Sequence, residues 1–316
     1  MRTKLVSTLV AAATLAGAAP AMGDAPMVRM RDGHGSDLLF RVNPLTLEQV
    51  GRPIRTFRNG ASLGYAPDGT RIAYTDATRR RARIHFVDLA GWRSLGVARL
   101  GNRGQLGVGW VSENRVLAYV AYGAGRRQLL WVDVRTKRIV ARRAFTGFAM
   151  NTLQVPGGLA MVLAPERGLG PLRIMLADAD GGLRTIRVDR IEAGANYRKG
   201  GRVVTPAVTV DPDGGRLYAI AGRGLLVAEV ELASGAVTYH SLGASAAKGD
   251  IDVWWRTAAW AGDGRIAVTG DHWPRPRRGR APIGPVPLGV RIIDTTDWTI
   301  RTLDRRPDTI HVAGDT

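Results

Sequence analysis

The chain has 316 residues, 45% of them hydrophobic, a formal charge of +18 and no cysteine. Its size and apolar content exclude a disordered chain and suffice for the core of one repeat-built domain or two ordinary ones. Without cysteine, disulfides, thiolate metal sites and a lipidated cysteine anchor are excluded, so stability has to come from packing and sheet closure.

At the N-terminus a charged start (Arg2, Lys4), an apolar run from Leu5 to Ala16 and the small-residue site Ala19-Pro20-Ala21 have the form of a secretory signal peptide. Cleavage after Ala21 is expected, leaving residues 22–316 as a single secreted domain, whether extracellular, periplasmic or wall-associated. No later segment approaches the roughly 20 apolar residues of a membrane span.

The stretch Gly64 to Leu89 sets a pattern that the rest of the chain repeats: an apolar strand, a Pro67-Asp68-Gly69 turn, a second strand, a basic loop, and a third strand ending in Asp88. A polar residue closing the third strand recurs every 45 residues, at Asn43, Asp88, Asp133 and Asp178, with longer copies at Glu231 and Asp294. Turns between first and second strands fall at Pro67-Asp68-Gly69, Ser112-Glu113-Asn114, Pro156-Gly157-Gly158, Pro212-Asp213-Gly214 and Gly262-Asp263-Gly264. Pro presets the first torsion of such a turn, Asp bonds back to the backbone and Gly accepts positive φ. Four short strands in 40 to 45 residues is the spacing of propeller blades. The expected units run 58–100, 101–145, 146–190, 191–243 and 244–304. The strands before residue 58 and the IHVAGD segment at Asp308–Thr316 complete a sixth blade by pairing, which removes both exposed sheet edges. The expectation is therefore an all-β propeller of six four-stranded antiparallel blades. A chain that stops short of a seventh is the alternative.

The same residues carry a family resemblance. YAPDGTRIAY resembles the core of the TolB-type, WD-repeat-like propeller repeat, and VDPDGGRLYAIAG with VELASGAV is similar to the YVTN-type repeat of bacterial surface and secreted proteins. The resemblance implies a propeller with a binding or scaffolding habit and implies no substrate, because propellers host many unrelated activities. No match to the extra N-terminal domain of TolB proteins is seen.

In a blade, loops between second and third strands leave the same end as the links between blades. Here that end collects Arg79, Arg80, Arg81, Arg83, Arg126, Arg127, Arg167 and Arg223, with Arg198, Lys199, Arg202 and Lys248 from the links. The opposite end pairs turn acids with Arg71, Arg115, Arg216 and Arg265, so the excess charge is expected to be polarised. The longest loop, Asp271 to Pro287, alternates Arg275, Arg277, Arg278 and Arg280 with prolines and is expected to be extended. With His272 and Trp273 it is the first candidate contact for an anion, since the planar guanidinium bonds carboxylate or phosphate bidentately. Asp250 and Asp252, ahead of Trp254 and Trp255, and Tyr197 lie in links near the channel mouth and form a second candidate group. Trp110 and Trp260 stand in the place of Tyr65, and Trp92 and Trp298 share a corner, so these four are expected to pack. His85 is expected to be a structural residue within a strand.

There is no HExxH, no acidic calcium loop and no GxSxG elbow. No metal or cofactor is expected, and specific nucleic-acid binding does not suit an exported chain. The expectation is a monomeric, non-catalytic binding or scaffold protein contacting a protein or acidic polymer of the cell envelope. The alternative is a propeller enzyme, a lactonase-like hydrolase or quinone-type oxidoreductase, using Asp250, Asp252, Tyr197 and His272.

Overall fold

The computed structural model describes residues 27–33, 36–42, 49–55, 62–77, 81–101, 105–121, 127–196, 202–222, 226–242, 251–274, 286–287 and 289–304. Strands and turns account for all of the regular structure in these residues, and no helix among them is long and apolar enough to cross a membrane.

The chain falls into two compact units. The first runs to Phe145, with residues 179–181. In it β1 (Met27–Gly33), β2 (Ser36–Val42) and β3 (Gln49–Arg55) form a three-stranded sheet. Next come a four-stranded sheet of β4 (Leu63–Tyr65), β5 (Arg71–Ala77), β6 (Ala82–Asp88) and β7 (Arg93–Gly101), and another of β8 (Gln105–Ser112), β9 (Arg115–Ala121), β10 (Arg127–Asp133) and β11 (Ile139–Ala144).

The second unit opens with β12 (Phe148–Val155), β13 (Gly158–Ala164), β14 (Gly168–Asp178) and β15 (Leu183–Asn196), followed by the short β16 (Arg202–Thr205). A separate four-stranded sheet holds β17 (Ala207–Val210), β18 (Arg216–Ile220), β19 (Leu226–Glu231) and β20 (Val237–Ser241). The last group is β21 (Ile251–Trp260), β22 (Arg265–Pro274), β23 (Val286–Pro287), β24 (Val290–Asp294) and β25 (Ile300–Asp304). β16 pairs antiparallel with β15 and parallel with β21, which merges the first and last groups of this unit into one ten-stranded sheet.

Face-to-face stacking explains why middle strands are apolar throughout. β13 is buried at every position, and β9 from Val116 to Val120, as strands covered on both faces must be. One core lies between the β4–β7 and β8–β11 sheets (Ile84, Phe86, Trp110, Val116, Leu130), and another between β12–β15 and β17–β20 (Leu153, Val162, Ile174, Val208, Leu217). A third joins β17–β20 to β21–β25 through Tyr218, Ile220, Ile266 and Ile293, with Trp260 and Trp298 packed against it.

The 45-residue marker has a local cause. Asp133 closes β10 and its Oδ1 accepts hydrogen bonds from the Thr136 backbone N–H (2.7 Å) and hydroxyl (2.8 Å), which hold its carboxyl below the usual range together with Arg115. Asp294 does the same with Thr296, Asp88 takes the Gly91 N–H and Asp178 the Gly182 N–H. Four residues past Asp88, Asp133, Glu231 and Asp294, the chain turns left-handed at Trp92, Lys137, Gly235 and Trp298. Asp88, Asp133, Asp178 and Asp294 thus each satisfy a turn N–H, while Glu231 accepts from the Ser234 hydroxyl instead.

Several expected boundaries shift. β15 runs to Asn196 instead of ending at 190, and the next sheet starts at Ala207. The loop expected from Asp271 starts later, because Asp271–Pro274 completes β22, with Asp271 and His272 pairing with β23. Asp252 and Arg202, expected in links, belong to β21 and β16. Of the turn pairs, Arg71–Asp68 (2.8 Å) and Arg265–Asp263 (2.6 Å) form as expected. Arg115 instead meets Asp133 (2.9 Å), its direct cross-strand neighbour, and Arg216 meets Glu229 (3.3 Å). The expected signal peptide and the expected closing segment Asp308–Thr316 lie outside the described residues.

His85 is the structural strand residue expected. Its ring stacks on Tyr74 (4.8 Å between centroids, 4° between planes), and Nε2 stands 3.5 Å from Oδ2 of Asp76, which is 2% exposed. Burial lowers the His85 pKa below its ordinary value and outweighs the opposing pull of Asp76. The unfolded chain therefore takes up this proton first as pH falls, so stability drops through the window below about 6.5 and levels off beneath the folded-state value. In thermal melts from pH 7.5 to pH 5, the wild type is expected to lose ground to His85→Phe. A difference between the two that stays constant with pH would refute this.

Candidate functional site

Strand direction assigns every connection to one end of its sheet. Register puts Ala77, Ala82 and Gly101 in one row, so 78–80 and 102–104 leave the same end of the β4–β7 sheet. Ala121 and Arg127 pair where 122–126 leaves the next sheet. In the second unit 197–201, 223–225 and 275–285 leave the corresponding ends of their strands. These six connections contain no acidic residue, yet they carry Arg79, Arg80, Arg103, Arg126, Arg198, Lys199, Arg223, Arg275, Arg277, Arg278 and Arg280. At the turn end, in contrast, Arg71, Arg115, Arg216 and Arg265 each meet a carboxylate.

The backbone gathers part of the expected binding set in the second unit. Arg202 pairs with Asn196, the next residue Val203 pairs with Val253, and Val253 pairs with Trp273. His272 lies opposite Trp254, and Asp252 sits at the register shift between Ile251 and Val253. Arg202, Asp252, His272 and Trp273 therefore occupy neighbouring strands at the loop end of the ten-stranded sheet. Tyr197, Asp250, Arg275, Arg277, Arg278 and Arg280 lie outside the described residues.

Beneath this strand junction is Arg256, which no motif in the sequence singles out. It is 4% exposed, and its Nε donates to the Gly222 carbonyl at 3.0 Å, just past β18. Gly222 has to be small here, since a Cβ would stand 2.9 Å from Val204 Cγ1 on β16. Arg256 lies opposite Gly270, while Arg291 lies opposite Val268 two residues along, so both arginines share one face of the sheet. Burial, then the nearby charge of Arg291, lowers the Arg256 pKa to about 10. It still carries its proton at neutral pH. An arginine inside the apolar run VWWRTAAW reads as outward-facing by alternation, and the clue to its role is the glycine across the ladder.

A groove of about 480 Å³ lies at the turn end of the same unit, lined by Val155–Gly158, Asp178, Arg184, Gly214 and Gly215. Arg184 Nη1 donates to the Ala233 carbonyl beside it at 2.7 Å. The groove coincides with none of the sequence candidates. Among the described residues no cluster of His, Asp and Glu has the form of a metal site.

No family model and no curated protein matches the chain. Among solved structures it is similar to dihydro-heme d1 dehydrogenase NirN in complex with DHE, with a TM-score of 0.50 and 16% identity over 90% of this chain and 55% of that one. The chain thus spans about half the length of that protein. It is also similar to the β-propeller domain of Cps50 (Swd1) from Myceliophteria thermophila, with a TM-score of 0.47 and 13% identity over 82% of this chain and 84% of that one. At such identities only the fold is transferable. The successive four-stranded antiparallel sheets, with the first of these likenesses, make the architecture an all-β propeller.

Proposed function

We propose that the chain is an exported, non-enzymatic propeller that binds an anionic polymer or an acidic protein partner at the cell envelope through the loop ends of its blades. The observation that supports this reading is the division of charge: Arg71, Arg115, Arg216 and Arg265 at the turn end each face a carboxylate, while the loop-end connections are rich in arginine and hold few acids, Glu166 in 165–167 and Asp250 in 243–250. A field of one sign raises the local concentration of an opposite polymer and weakens as salt screens it. The leader-like N-terminus supports export, and the TolB-type and YVTN-type repeat resemblance supports a binding role for a monomer.

The experiment is retention on immobilised polyphosphate. Replacing Arg275, Arg277, Arg278 and Arg280 by Ser is expected to lower affinity roughly tenfold or more at ~0.1 M salt and to flatten its salt dependence. Elution of both proteins at the same salt concentration would exclude this loop as the contact.

A further inference from the structure

We propose that Arg256 and Arg291 form a site for a small ligand bearing an oxyanion group, phosphate or carboxylate, between the β17–β20 sheet and the β21–β25 strands. This goes beyond polymer adhesion, because the pair lies on the strands beneath the junction and does not depend on the loop arginines.

Three observations carry the assignment. First, Arg256 is a buried cation, and among the residues whose side chains are described no carboxylate pairs with it. Its contact from Nε to the Gly222 carbonyl engages one of five guanidinium donors. Second, its charged neighbour is another arginine, and the Arg291 Nε is itself buried with no hydrogen-bond partner among the described residues. Two like charges held together away from water raise the free energy of the empty site, and an anion between them would relieve both repulsion and lost solvation. Third, Gly270 separates them on the shared face, with no side chain to fill the interval. Arg291 is partly exposed, so the pair is reached from its side. The Gly222 contact fixes the depth and orientation of the Arg256 fork, and a phosphate or carboxylate can accept from both guanidinium groups with paired, charge-assisted bonds. Arg256 would bind the group, and Arg291 would close over it.

The test is thermal unfolding of the full chain in inorganic phosphate, in malonate and in chloride at matched ionic strength. Phosphate or malonate, at about 100 times its dissociation constant, is expected to raise the wild-type midpoint by roughly 5 °C over chloride. Arg291→Gln, a change at a partly exposed position that preserves the fold, is expected to abolish the rise. A response to phosphate alone assigns a phosphate-bearing ligand, to malonate alone a carboxylate-bearing one, and to both a general oxyanion site. Absence of any rise in the wild type, or a rise that survives Arg291→Gln, overturns the proposal. The four-Ser loop variant is expected to keep the rise, which separates failure of this site from failure of polymer binding.

Discussion

Trp110→Ala is expected to destabilise the first unit by about 4 kcal/mol, the scale of a large aromatic side chain deleted from a core that cannot collapse around the gap. Trp110 is 1% exposed, meets Phe86 edge-on at 6.2 Å and lies under the Arg71 guanidinium at 5.4 Å. Its indole N–H also donates to the Gly64 carbonyl at 2.9 Å, tying β8 to β4 across the sheet interface. Trp110→Phe separates the two contributions, since it keeps most of the ring volume and leaves Gly64 without this donor, costing about 1–2 kcal/mol. Urea unfolding measures both. A loss below about 1 kcal/mol for Trp110→Ala would mean that the β4–β7 and β8–β11 sheets are not stacked through this residue.

The second large effect is steric. A Cβ on Gly158 would stand 2.2 Å from the Ala177 carbonyl oxygen and 3.1 Å from its carbon, both backbone atoms of the paired strand β14 that no rotamer change can move. Gly158→Ala is therefore expected to cost about 3 kcal/mol and to disturb the β13–β14 register. The adjacent Gly157 provides the control: it sits at φ +74 with nothing within reach of a Cβ, so Gly157→Ala carries only the left-handed penalty of about 1 kcal/mol. Equal midpoints for the two variants would show that β14 does not run against the turn as described.

Features encoded by neighbouring residues are legible in the sequence. The acid closing each third strand is visible at a 45-residue spacing because its job, accepting turn N–H groups as Asp133 does from Thr136, involves residues a few positions away. The turn pairs are half legible. Asp68 and Arg71 are local partners, whereas the choice of Asp133 by Arg115 depends on cross-strand register, which spacing alone does not fix. The parallel bridge from β16 to β21 is hidden for the same reason, as it joins Val203–Thr205 to Val253–Trp255 across an entire intervening sheet. Pro274 and the Arg-Pro run after it mask the strand character of Asp271–Trp273, which comes from pairing with β21. Arg256 escapes notice because nothing in its own segment shows that the Gly222 carbonyl will approach it.

The polarity of charge on which the proposed binding rests can be measured residue by residue. Arginine-selective labelling with phenylglyoxal, read by mass spectrometry with and without polyphosphate, is expected to show protection at Arg79, Arg80, Arg126, Arg198, Arg275, Arg277, Arg278 and Arg280. Arg71, Arg115, Arg216 and Arg265, each already facing a carboxylate at the turn end, are expected to label equally in both conditions. Protection spread evenly over both groups, or confined to the turn end, would contradict the account.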